Sequence, residues 1–340
     1  MRLTSKIRRE VCFLLLYTLL FAVAWRLAFH YFPEQGKRMI WRHDGLTQHY
    51  VALLYYSRWA RAVLRSILAG RPSFPTYNLH IGFGSDLFTT FQYYVIGDPF
   101  SLPAVFVPEK YLPAFRDAML ALRMYLAGVC FDRFCCVKGH HRPVDNLCGA
   151  LLYVFGSYTL FGMRHPYFLN ALIFFPLLLI GAEKILRGGR GRMFTVLVFL
   201  SCISNFYFFY MLVLMTVFYV VWRTLRIHIF PCLSFPGGVK TGTGGRPGAG
   251  TGSGQKRRGQ TDLRRAWKRV GRLAARFMAC GLLGTGMGMC LFLPIVLRFL
   301  GDPRASEGSA GLMFYPADYY KGLVYCFMTY GQREAFIYWS

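Results

Sequence analysis

Asp44 and Asp98 are the acidic residues through which this sequence could do chemistry. Asp44 lies in IWRHDGLTQHY (40–50), where two His, a Gln and an Arg crowd beside a very apolar run. Asp98 lies near the end of FPTYNLHIGFGSDLFTTFQYYVIGDPFSL (74–102), an aromatic, Gly-rich stretch that also carries Asn78, His80, Asp86 and Gln92. That stretch has neither a helical nor an alternating period, so it reads as a folded loop pocket. A carboxylate can take the proton of an acceptor hydroxyl. Two carboxylates can hold a divalent cation, Mg or Mn, that neutralises a phosphate leaving group. Arginine forks bind phosphate through paired hydrogen bonds. Together at a lipid surface these suit transfer of a sugar from a lipid-linked sugar phosphate. They also suit a lipid phosphatase or an ion-binding mouth. Each residue has a plainer structural reading beside the chemical one: Asp98 before Pro99 as a turn cap, Asp86 as an acceptor for local N–H groups, Gly82 and Gly84 as bends.

The elements that must position these residues are membrane helices. Of 340 residues 55% are hydrophobic and only 16% charged, more apolar surface than a soluble domain has use for. Apolar runs near 11–32, 112–136, 146–163, 167–186, 193–222 and 272–300 approach or exceed the roughly 20 residues that cross a bilayer core. The fold class is an all-α polytopic membrane protein. The first run follows Arg2, Lys6, Arg8 and Arg9 but is too long for a signal-peptide core, so it reads as an uncleaved helix. The net charge of +25 gathers in loops between apolar runs, the pattern of cytoplasmic loops, and implies no nucleic-acid partner. The ten Cys sit largely in apolar runs and read as inert thiols.

The charge rule places the N-terminus, 137–145, 187–192 and 223–271 in the cytoplasm; the last carries eleven Lys/Arg against a single Asp262. The run 193–222 then begins and ends on one side, which predicts a short hairpin turning at Ser204 and Asn205. The alternative is one long tilted helix with a basic loop outside. The hairpin gives about seven transmembrane helices in this order: N-terminus and first helix over 1–32, a large extracytoplasmic loop over 33–110, five helices over 111–222, a basic Gly-rich cytoplasmic linker over 223–271, a seventh helix over 272–300, and a second extracytoplasmic loop from 301. The chain reads as stopping within that loop at residue 340, as an N-terminal fragment would. Residues 237–260 lack the phosphate-loop spacing and read as a flexible linker.

Within the first loop, 47–70 predicts a helix starting at Thr47 as N-cap. Ala52, Tyr56, Trp59, Val63 and Ile67 share one face and Arg58, Arg61 and Arg65 the other. Such a helix suits the membrane interface, with the Arg stripe anchoring headgroups or guiding a lipid phosphate.

The stretches HDGLTQHY, IGFGSDLFTTFQYYVIGDPFSL and SNFYFFYM resemble signature segments of the YfhO family of bacterial membrane proteins, and the helix order agrees along the chain. The resemblance implies a GT-C-like module and an extracytoplasmic glycosyltransferase. Its donor would be a polyprenyl-phosphate-linked sugar and its acceptor a cell-envelope glycopolymer such as teichoic acid. It puts the catalytic base or metal ligand on Asp44, with Asp98 as a second acidic position. Gln48, His49 and His80 would line the pocket, and Arg42, Arg58, Arg61 and Arg65 would meet donor phosphate. A lipid-linked-saccharide flippase or a non-catalytic assembly subunit is the alternative.

Overall fold

Free of Gly and Pro, the first run winds into one long helix, α1 (Arg2–Phe29). The structure, a computed structural model, describes residues 2–82, 84–231 and 252–301. Contacts divide the chain into a unit Met1–Leu291 and a unit Phe292–Ser340. The segment expected as a second outer loop therefore lies, from 302 onward, outside the described residues, as does 232–251 of the expected linker.

After α1 come α2 (Val51–Leu68), α3 (Leu112–Val137), α4 (Pro143–Val154), α5 (Asn170–Leu186), α6 (Arg192–Ser204), α7 (Phe206–His228), α8 (Gly252–Met287) and α9 (Met289–Leu300). Proline in the first turn starts α3 and α4, where its missing N–H costs nothing. The linker expected over 223–271 is thus narrower than its composition suggested, since α7 enters it and α8 begins at Gly252.

Four segments are long and apolar enough to cross a membrane: Ile7–Phe29, Pro143–Gly162, Pro166–Leu186 and Phe206–His228. The helices Leu263–Met287 and Met289–Arg298, bent by 87° at their junction, are apolar enough together to count as a fifth if they form one broken span. The chain is an all-α, multi-pass membrane protein. The difference from seven has two sources. Helix α6 is apolar but has only 13 residues, and α3 carries Arg116, Asp117, Arg123, Asp132 and Arg133 along its length. The run 193–222 is broken at Asn205, whose extended backbone separates α6 from α7 and whose Oδ1 accepts the N–H of Phe208 at 3.1 Å.

In lipid, burial of apolar surface does not by itself join helices; close backbone approach does. Ala127 and Ala150 are fully buried in the α1–α3–α4 core, and a Cβ on Gly128 would collide with the Tyr17 hydroxyl. On the other flank a Cβ on Gly284 of α8 would lie 2.6 Å from the Thr195 carbonyl oxygen of α6. Two carboxylates inside the bundle are multiply paired. Asp132 accepts from Arg9 Nη1 at 2.9 Å and from Asn146 at 2.8 Å. Glu183 accepts from Arg223 Nε at 2.7 Å, Tyr219 at 2.6 Å and Lys138 at 3.1 Å. Both clusters sit at the ends of α3 and α5 remote from Arg116 and Asn170.

The loop 33–110 docks on that other end. Among its described residues the only ladder is the two-residue pair β1 (Tyr77–Asn78) and β2 (Ser85–Asp86), antiparallel. Gln92 donates to the Ile203 carbonyl at 3.1 Å and Asn205 donates to the Tyr93 carbonyl at 2.8 Å, tying loop to helix break. Gly97 is required at the seam: its φ is +89° and a Cβ would land on the Ile203 carbonyl oxygen.

Candidate functional site

The turn Gly45–Tyr50 is π-helical and runs directly into α2. Gly45 permits it, since a Cβ there would stand 2.9 Å from Trp41 Cβ. Thr47, expected as the N-cap of a helix beginning beside it, lies inside this turn and donates to the His43 carbonyl at 3.0 Å. The wider turn aims successive side chains in different directions, a geometry common at functional sites. His49 points inward and is 6% exposed. Asp44, half-buried at the head of the turn, makes no cap bond to backbone N–H groups. Its Oδ1 accepts from Gln48 Nε2 at 3.0 Å, and Gln48 Oε1 accepts from the Tyr94 hydroxyl at 3.0 Å.

His49 meets a second histidine from the far side of the chain. Its Nε2 lies 2.5 Å from Nδ1 of His165, and its Nδ1 lies 3.0 Å from the Tyr167 hydroxyl. Tyr167, His49 and His165 thus form a row along which hydrogen bonds run in one sense or the other. If Tyr167 donates, His49 passes an N–H to His165, and the outer nitrogen of His165 carries a proton. If the sense reverses, that outer nitrogen holds a lone pair. Burial, with repulsion from His165 and Arg116, holds His49 down at about 3, so its ring is neutral at physiological pH. Burial also lowers His165, and the charge of nearby Asp44 opposes that shift. Above this row, the Trp41 ring lies 5.9 Å from that of His165 and takes the Arg164 guanidinium at 5.2 Å.

Beneath the row lies Asp98, fully buried. It accepts from Ser101 Oγ at 2.5 Å, Arg123 Nη2 at 2.5 Å, Asn170 Nδ2 at 2.8 Å and the Phe100 N–H at 3.2 Å. Arg123 in turn donates through Nε to Asn170 Oδ1 at 2.8 Å, and Asn170 donates to Ser204 at 3.0 Å. One carboxylate therefore fastens the loop to α3, α5 and α6. A cavity of about 30 Å³ separates this node from His49 and Tyr167, with Arg116 in its wall.

The sequence model for the family described as "Bacterial membrane protein YfhO" matches residues 13–339, nearly the whole chain. The chain belongs to the YfhO family. It is 37% identical over 89 residues to "Uncharacterized protein YfhO" of Bacillus subtilis (strain 168), an alignment that covers 25% of this chain and 10% of the relative. The matched stretch thus spans about a tenth of that relative's length. No solved structure matches the chain.

Of the residues singled out in this YfhO-family sequence, the structure brings together Asp44, Gln48 and His49, with Asp98 below them. Arg58 and Arg61 lie apart and are engaged: Arg58 forms a bidentate pair with Glu109 at 3.0 and 2.7 Å, while Arg61 donates to Ser57 at 2.5 Å and stands 3.8 Å from Glu109. The Arg58 guanidinium also holds the Glu109 carboxyl below its usual range. Arg42 and Arg65 are exposed, as is His80, whose backbone N–H is taken by Asn78 Oδ1 at 2.8 Å. Among the described residues no group of three or more His, Cys, Asp or Glu side chains converges as a metal cage would require.

Five participants were not singled out from sequence: Tyr94, Arg116, Arg123, His165 and Tyr167. The signal for one of them, His165, was RHP at 164–166, a polar and helix-breaking tripeptide wedged between two apolar runs.

Proposed function

We propose that this YfhO-family chain carries the active site of a GT-C-type glycosyltransferase working at the extracytoplasmic membrane surface. The donor is a polyprenyl-phosphate-linked sugar and the acceptor a cell-envelope glycopolymer such as teichoic acid. The observation that carries the reading is Asp44: a half-buried carboxylate spared from capping, with one oxygen bonded to Gln48 and the other free of any partner among the described residues. It sits beside two lowered, neutral histidines.

In the proposed inverting transfer Asp44 is the general base. The acceptor oxygen forms a bond to the anomeric carbon as that carbon's bond to phosphate oxygen breaks. The acceptor's proton passes to Asp44, and the electron pair leaves on the polyprenyl phosphate. Gln48 orients the carboxylate, and Tyr94 orients Gln48. His165, braced by His49 and Tyr167, offers its outer nitrogen to a sugar hydroxyl or phosphate oxygen. Asp98 assists as a positioning residue by fixing the loop to the helices. Arg42 and Arg65 remain available to phosphate, whereas Arg58 and Arg61 would first have to leave Glu109.

A flippase for lipid-linked saccharides would need a polar path across the bundle. The buried charges that might line one, at Asp132 and Glu183, are instead closed off in pairs. The test is reconstitution of the full-length protein in vesicles with radiolabelled polyprenyl-phosphate sugar and glycopolymer. Label moving from lipid to polymer is the expected result. Donor crossing the bilayer with no label on polymer would overturn the assignment in favour of the flippase.

A further inference from the structure

Arg116 carries a buried guanidinium that is only half used. The residue is 3% exposed, and its Nη1 donates to the Met39 carbonyl at 2.8 Å. Its Nε and Nη2 are buried and have no hydrogen-bond partner. These two N–H groups form one edge of the planar guanidinium, the parallel fork that grips two oxygens of an oxyanion. Leaving buried donors unpaired is costly and rare in native proteins, so an intact empty fork calls for an explanation. The nearest carboxylate, Asp117, stands 3.8 Å away on the Nη1 side and leaves the fork unoccupied.

Arg116 lines the 30 Å³ cavity together with His49, Tyr94, Ser101, Tyr167 and the Asp98–Arg123 pair. A water needs roughly 10–15 Å³ on the same scale, so the space admits about two oxygen atoms and no sugar ring. Its electrostatics favour an anion. Asp98 is already neutralised by Arg123, His49 is uncharged, and Arg116 brings a positive charge to the wall that only Asp117, at 3.8 Å on the Nη1 side, opposes.

We infer that the Arg116 fork and the cavity beside it form an oxyanion site for a phosphate group. The inference rests on the proposed function only for the phosphate's origin, since a lipid phosphate monoester and free inorganic phosphate share the chemistry the fork recognises. On the lipid route the phosphate oxygens enter the cavity and the attached sugar stays outside it, on the Asp44 side, which is linked to the cavity wall through Gln48 and Tyr94.

The test measures binding, so its failure and the failure of glycosyl transfer are separable. Full-length protein in phosphatidylcholine nanodiscs is titrated with farnesyl phosphate, farnesol and inorganic phosphate, for wild type, Arg116→Lys and Arg116→Gln. Arg116→Lys keeps the charge but loses the fork. Farnesyl phosphate binding at least about ten-fold tighter than farnesol, with that preference lost in both variants, is the expected result. Inorganic phosphate binding with the same dependence on Arg116, and no gain from the farnesyl chain, would support the site with free phosphate as its source. Equal binding of either phosphate to wild type and Arg116→Lys would overturn the inference. Because Arg116 also holds the Met39 carbonyl, Met119→Phe serves as a second variant, filling the cavity while sparing the guanidinium. Undiminished phosphate binding by folded Met119→Phe overturns the inference equally.

Discussion

Replacing Asp98 with Asn removes one charge from the most heavily bonded carboxylate at the site. Four donors converge on it: Ser101 Oγ, Arg123 Nη2, Asn170 Nδ2 and the Phe100 N–H. An Asn offers one acceptor oxygen and turns an NH₂ group toward the remaining donors. Arg123, 2% exposed, would be left as a buried cation without its counter-charge. Breaking one side of a buried pair costs about 3–5 kcal/mol, which is comparable to much of a native protein's whole margin of stability. The expectation is a large fall in the thermal unfolding midpoint of Asp98→Asn, read by tryptophan fluorescence and by monodispersity after heating. Adding Arg123→Met removes the orphaned charge and should recover part of the loss, so the two changes are coupled by more than about 1 kcal/mol. An Asp98→Asn protein that unfolds with the wild type and yet transfers no sugar would refute the positioning role and make Asp98 a chemical participant.

Three further perturbations address the same architecture. His49 is lowered from its ordinary value to about 3 in the folded protein, so the unfolded chain binds its proton first. Its contribution to stability is full above pH 6.5 and is lost as pH falls from there toward 3; unfolding midpoints of His49→Gln should therefore fall less steeply than wild type between pH 6.5 and 5, and parallel curves would contradict the buried neutral imidazole. Gly97→Ala forces a left-handed backbone and drives a Cβ into Ile203, so it should cost more than about 1 kcal/mol, whereas Gly36→Ala, at φ +61° with open space around it, should cost visibly less in the same melt. Asn205→Ala removes both a helix cap and the bond to the Tyr93 carbonyl, and should destabilise by about 1–2 kcal/mol, with faster proteolysis of the 74–102 loop as its local readout.

Local features of the site were legible in sequence, and long-range ones were not. Asp44, Gln48 and His49 share one turn, so their proximity follows from spacing alone. The break at Asn205 was legible because SCISN is the one polar interruption of a long apolar run. By contrast, His49 and His165 are 116 positions apart, and nothing in either segment names the other as partner. The Arg58–Glu109 pair spans 51 positions, so the Arg stripe read as free from α2 alone. Helix α3, expected from sequence as a span, falls outside the set of long apolar helices because of its charges. In α3 the charges that interrupt hydropathy are satisfied by tertiary partners, Asp98 for Arg123 and Arg9 for Asp132, which no local window contains. The π-helical turn was equally invisible, since Thr47 and Gly45 fit an ordinary helix start, and packing of Trp41 against Gly45 decides the geometry.

The central claim is that Asp44 is the base of a sugar transfer, and steady-state transfer by full-length Asp44→Asn tests it most directly. The account predicts a loss of kcat of about 10²–10⁴-fold with KM for donor within about two-fold of wild type and an unchanged unfolding midpoint. An Asp44→Asn protein that is folded, inserted and transfers sugar at the wild-type rate would contradict it.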